Sequence, residues 1–144
     1  MKILAIVYWF TILSFPWEPN FDKALQTARE KKELVLLNFS GSDWCGPCMR
    51  MRKEIFDDAT FTAMADTSII MVNADFPRNK KNQLDKKLKA QNEGLADRYN
   101  PEGKFPFTLL LNGKGEIVKA WDGLPNETAS QFAAEIKKIC DDNN

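Results

Sequence analysis

Apolar positions along the chain follow two rhythms. In "NFDKALQTAREKKE", Phe21, Ala24, Leu25 and Ala28 fall at i, i+3, i+4 and i+7, which places them on one face of a helix. "LVLLNF" (34–39) and "IIMVNADF" (69–76) are instead continuous apolar runs rich in β-formers, and they predict buried strands. Between the two runs, 40–43 is polar and loop-like. A helix then starts around the cysteines, with Met49, Met51, Ile55 and Phe56 as its apolar side, and "TFTAMAD" reads as a short helix. Leu84, Leu88, Leu95 and Tyr99 recur at near-helical steps, predicting one long helix or two short ones over 80–99. "FTLLLNGKGEIVKAW" predicts two strands joined at Asn112-Gly113, a strong hairpin signal. Ala129, Phe132, Ala133, Ile136 and Ile139 make a final amphipathic helix, with Pro125 and Asn126 at its entry. The order is helix, strand, helix, strand, helix, strand, strand, helix. Such alternation with a closing hairpin predicts an α/β layered fold around a mixed sheet.

The first residues depart from this pattern. Lys2 precedes an apolar run over 3–13 in which Thr11 is the polar exception. A basic start and a short apolar block form the pattern of an export signal. The run is too short for a spanning helix, which needs roughly 20 apolar residues. The plain alternative is a strand or helix packed in the core. No small-x-small pair precedes Pro16, and Ser14 is the best final residue for cleavage. Residues 1–16 are read as a signal peptide or, uncleaved, a short N-terminal anchor, and 17–144 as one domain. An extracytoplasmic, periplasmic location follows from the export reading.

Charge and composition narrow the chemistry. Acids and bases are matched at 20 each, which argues against a nucleic-acid binder. The chain has no histidine, so Ser–His and Cys–His catalysis are excluded, as is nearly every common zinc enzyme. Two of its three cysteines, Cys45 and Cys48, flank Gly46 and Pro47 where a strand gives way to a helix. At a helix N-terminus, unpaired N–H groups and the helix dipole favour negative charge and hence a thiolate on Cys45. Pro47 suits the first helical turn. Cys48 lies one turn on, expected to be the more buried, and is placed to resolve a mixed disulfide formed by Cys45. Arg50, Arg52 and Lys53 add positive charge nearby. A zinc site wants four ligands, and only Cys140 remains; two buried structural thiols are the other alternative. The spacing after a strand and before a helix favours the redox couple. Cys140, near the end of the last helix, reads as a buried thiol, with a regulatory or intermolecular thiol as the alternative.

"WCGPC" (44–48) resembles the active site of thioredoxin letter for letter. The likeness extends over about 21–139, through "LVLLNF", "VNAD", "FPFTLLL" and "GKGEIVKAWDG". "NFSGSDWCGPC" resembles exported bacterial thioredoxin-like proteins more than cytosolic thioredoxin, with a loop one residue longer before the tryptophan. The resemblance implies a thioredoxin fold: a central mixed β-sheet flanked by helices, with a C-terminal β-hairpin plus helix. It implies Cys45 as the attacking and Cys48 as the resolving cysteine. Trp44, Gly46, Pro47, Phe105 and Pro106 would contact substrate, with Pro106 as the family's cis-proline and the Phe105 backbone holding an extended chain. From residue physics alone, Pro106 could equally be an ordinary strand-start proline.

Two matches fail. Asn38 stands where thioredoxin has a buried aspartate, and Met71 where it has the partnering lysine. An amide cannot accept a proton as a base, so the family's usual acceptor for the Cys48 proton is missing; Asn38 at its position and Asp43 acting through water are the residues put forward for proton transfer. The alternative for Asp43 is a loop acid or a cap on the active-site helix. The segment 78–100 is also longer than in thioredoxin; its lysines are read as a solvated face, with a docking patch for an acidic partner as the alternative. The expected function is a thiol–disulfide oxidoreductase acting on protein substrates. It needs no cofactor beyond the cysteine pair, and Gly-Pro between the thiols resembles the reducing members. A redox donor protein, membrane-bound for a reductant in an oxidising compartment, is the expected second partner. A disulfide oxidase or isomerase, a non-enzymatic binding module and a zinc-binding domain are the competing readings.

Overall fold

The computed structural model describes residues 17–144. The export or anchor segment lies outside the described residues. Four strands form one sheet in the order β2-β1-β3-β4. Strands β1 (Leu34–Ser40) and β2 (Ile69–Asp75) are parallel, with Leu34 opposite Ile69 and Asn38 opposite Asn73. Strand β3 (Phe107–Leu111) runs antiparallel to β1, and β4 (Ile117–Asp122) antiparallel to β3 at the edge. Every residue of β1 is buried, which is why its sequence shows no polar alternation.

Helices cover both faces. Helices α1 (Phe21–Lys31) and α4 (Lys86–Tyr99) pack Phe21, Ala24, Ala28, Leu95 and Tyr99 against Val35, Leu37 and Phe39. The opposite face takes Leu34 and Leu36 against Met51, Phe56, Phe61, Phe132 and Ile136. Those come from α2 (Gly46–Met51) and the turn after it, from α3 (Ala59–Ser68) and from α5 (Ala129–Asp142). Each large apolar side chain buried this way contributes about 1.5–3 kcal/mol. By strand alternation Asn38 points to the same face as Leu36, beneath α2.

Three local readings are corrected. The hairpin does not close on Asn112-Gly113. The loop runs to Glu116, because the Asn112 side-chain oxygen accepts from the N–H groups of Lys114 and Glu116, both at 3.0 Å. Such an Asx turn replaces the two-residue turn, and the positive φ falls on Gly115, at 78°. Helix α5 begins three residues after Asn126, where Thr128 and Gln131 form a reciprocal capping box. Thr128→Ala should therefore cost about 1 kcal/mol, read as a lowered denaturant midpoint at unchanged slope.

The third correction concerns the helix after the cysteines. Met49 is 46% exposed rather than part of the apolar side. The helix widens into a π turn over Arg52–Phe56, where the Asp57 N–H donates to the Arg52 carbonyl five residues back. In a regular α-helix, Met51 and Phe56 would point roughly 140° apart. The wider turn brings both onto the core and leaves Met49 outside. The segment 80–99 resolves into a short 3₁₀ turn, Lys80–Asn82, and α4, whose N-cap Asp85 accepts from Leu88.

Candidate active site

Cys45 is the N-cap of α2 and Cys48 sits one turn in, with Pro47 in the first turn. The two sulfurs are bridged as a disulfide, their Cα atoms 5.2 Å apart. The Cys48 N–H donates to the Cys45 sulfur at 3.3 Å, a donor that would favour a thiolate there. Burial does not separate them: Cys45 is 5% and Cys48 4% exposed. The expected greater burial of Cys48 is absent in this oxidised state. Gly46 and Pro47 are exposed and open the approach to the bridge.

The Phe105–Pro106 bond is cis. The loop leading into it is held by Asn100, whose side chain both donates to the Lys104 carbonyl (2.8 Å) and accepts from its N–H (2.9 Å). The Pro106 carbonyl accepts from Gly123 at 2.9 Å. Among the described residues, neither backbone group of Phe105 has a hydrogen-bond partner. Its ring meets Trp44 edge-on at 5.3 Å and Phe76 at 5.6 Å. The Trp44 indole donates to the Phe76 carbonyl at 2.7 Å, and it lies so close over Gly41 that any Cβ there would enter the ring.

Beneath the thiols lies a polar floor. Asn38 donates to the Asn73 side-chain oxygen and accepts from the Thr108 hydroxyl, both at 3.0 Å. Asn38, Asn73, Cys48, Ser42, Arg52 and Lys53 are among the residues lining a cleft of about 180 Å³.

A family model described as thioredoxin-like matches residues 16–113. The chain belongs to the thioredoxin-like family. It is 30% identical over 121 residues to the disulfide bond reductase DsbH of Chlamydia pneumoniae, covering 84% of this chain and 70% of that protein. It is 27% identical over 126 residues to the thioredoxin-related protein DsbJ of the same organism, but spans only 35% of that protein's length. A solved structure titled DsbH oxidoreductase superposes with a TM-score of 0.80 at 22% identity, covering 98% of this chain and 94% of that one. The protein is thus a thioredoxin-like thiol–disulfide oxidoreductase, and its bridged Cys-Gly-Pro-Cys pair is the candidate redox centre.

Within this thioredoxin-like site, the two residues put forward for proton transfer are engaged otherwise. Asn38 uses both ends of its amide in the floor. Asp43 does not cap α2; Cys45 does. Its carboxylate accepts from the N–H groups of Arg78 and Asn79, both at 2.9 Å, and from the Asn82 amide at 3.0 Å. Those bonds hold its pKa below the usual aspartate value, led by the Arg78 N–H. Asn73 and Thr108 were missed from sequence, although Asn38 and Asn73 occupy the fifth position of each parallel strand. Met71, at the position of the family's lysine, is buried in the apolar core.

The nearby cations divide. Arg50 pairs outward with Glu54 at 3.1 Å. Arg52 pairs with Asp57 at 2.8 Å and covers the Trp17 ring at 5.0 Å, while Lys53 lines the cleft. Cys140 is a free buried thiol whose pKa is pushed up to about 11, chiefly by burial and then by Asp141. It stays protonated at neutral pH. Among the described residues no group of Cys, Asp and Glu side chains is placed to hold a metal ion.

Proposed function

We propose that the protein is an extracytoplasmic reductant of protein disulfides. The observation that carries this reading is the closed Cys45–Cys48 pair at the N-terminus of α2, beside the cis-Pro106 loop. In the dithiol form, the Cys45 thiolate attacks a substrate disulfide. One S–S bond breaks, a mixed disulfide forms, and one substrate thiolate leaves and takes a proton. The Cys48 thiolate then attacks the Cys45 sulfur, which releases the second substrate thiol and restores the Cys45–Cys48 bridge. Two electrons pass to the substrate and no diffusible cofactor takes part. The unpartnered N–H and C=O of Phe105 would hold the substrate as an extended strand, with Trp44, Gly46, Pro47 and Pro106 around it.

The neutral floor sets the route of the Cys48 proton. Asn38 and Asn73 take up no proton, so the Cys48 proton exchanges with water through the cleft, whose rim residues Ser42, Met49, Arg52 and Lys53 are exposed. Export rests on Lys2 and the apolar run over 3–13. A membrane-bound donor protein would return the electrons. The deciding measurement is the potential of the pair in defined thiol–disulfide buffers. A value near about −270 mV or lower is expected; a value near about −120 mV would make it an oxidant instead.

A further inference from the structure

The chain is neutral overall, yet one flank of the active site is strongly basic. Residues 78–89 carry Arg78, Lys80, Lys81, Lys86, Lys87 and Lys89 against Asp85 alone. All six cations are exposed. Among the described residues none of them enters an ion pair. The Asp85 carboxylate is engaged in capping α4, accepting from Leu88 at 2.9 Å.

This flank is fixed against the thiols. Asp43, two residues before Cys45, binds Arg78, Asn79 and Asn82. Gln83 folds back to donate to the carbonyls of Pro77 (3.0 Å) and Asn79 (3.1 Å). The Arg78 guanidinium lies 3.8 Å from the centre of the Trp44 ring, beside Cys45. The Arg78 guanidinium and the backbone that carries Lys80 and Lys81 are therefore held in place before any partner arrives, which lowers the ordering cost of using them. A predominantly basic patch next to a reactive cleft steers and selects oppositely charged partners.

We propose that the 78–89 flank selects protein substrates bearing acidic residues beside the disulfide to be reduced. The inference rests on the thiol-exchange reading. A polypeptide fits the flank better than a lipid surface does, because the flank adjoins the Phe105 edge with its unpartnered backbone groups. A chain held there as a strand would pass its flanking side chains under Arg78 and the lysines.

The test uses the full reduced protein and two peptides with the same disulfide loop, one flanked by Asp and Glu, the other by Lys. Rates are expressed relative to that on neutral 2-hydroxyethyl disulfide for the same protein. At low salt the acidic peptide should react about tenfold faster. The preference should fade towards equality at about 0.5 M salt. Reversing Lys80, Lys81, Lys86 and Lys87 to Glu should invert it; changing the same four to Gln, which adds no repulsion, should erase most of it. Equal peptide rates at low salt, with 2-hydroxyethyl disulfide still reduced, would overturn the proposal and leave the exchange chemistry standing. No reaction with any of the three would overturn both. If the Gln variant keeps the peptide preference but no longer binds anionic phospholipid vesicles, the flank serves a membrane and the proposal fails.

Discussion

Cys45→Ser will abolish reduction of protein disulfides, and Cys48→Ser will stop the same reaction halfway. Serine at 45 removes the proposed nucleophile at the N-cap of α2, leaving Cys48, which lies inside the helix rather than at its cap, and Cys140. Cys140 is buried and, with its pKa near 11, carries almost no thiolate at pH 7. Loss of the resolving thiol has a different signature. Cys45 still attacks, but nothing displaces the substrate, so a covalent adduct accumulates. Reduction of insulin, followed by turbidity, reads the first effect; mass spectrometry of the quenched Cys48→Ser reaction reads the second. A Cys45→Ser protein working at the wild-type rate would sink the redox reading.

Asn38→Asp should add to the wild type's stability profile a pH dependence of its own. The new carboxyl would be 5% exposed, as Asn38 is. In its neutral form it can still donate to Asn73 and accept from Thr108, reproducing the native bonds. Ionised, it loses its donor, faces the Asn73 oxygen and gives up hydration. Burial therefore raises its folded pKa above the unfolded value of about 3.9. Between the two values the native state binds more protons than the unfolded state, so stability falls as pH rises. Below about pH 4 variant and wild type should coincide. If the shift is about two units, the variant loses about 2.7 kcal/mol above the folded pKa. Denaturant midpoints between pH 4 and 8 measure this. A constant difference across that range would show that Asn38 does not sit in a water-poor floor.

The parts of this fold legible in the sequence are those in which one residue's burial decides its neighbours'. The runs before and after the cysteines read as buried strands because β1 and β2 lie under helices on both faces. The thiol pair read clearly because its chemistry depends on spacing along one turn. What failed depended on side chains that bind backbone. The Asn112 amide remade the hairpin, and the Thr128–Gln131 box moved the start of α5. The π turn was hidden because hydrophobic patterning assumes a fixed winding. The partner of Asn38 could not be read from a missing lysine at 71. Only the in-register pairing of two distant strands brings Asn73 and Thr108 to it.

The Asp43 clamp bears on protein engineering. Its three bonds join the active-site loop to the 78–82 segment, so the two behave as one inheritable unit although 35 residues separate Asp43 from Arg78. Recognition loops are often exchanged between relatives as contiguous pieces. Here a transplanted 76–89 piece would arrive without the acid that seats it, and Arg78 would lose its fixed place over the Trp44 ring. The transferable cassette is therefore discontinuous: Gly41, Asp43 and Trp44 must travel with the basic segment.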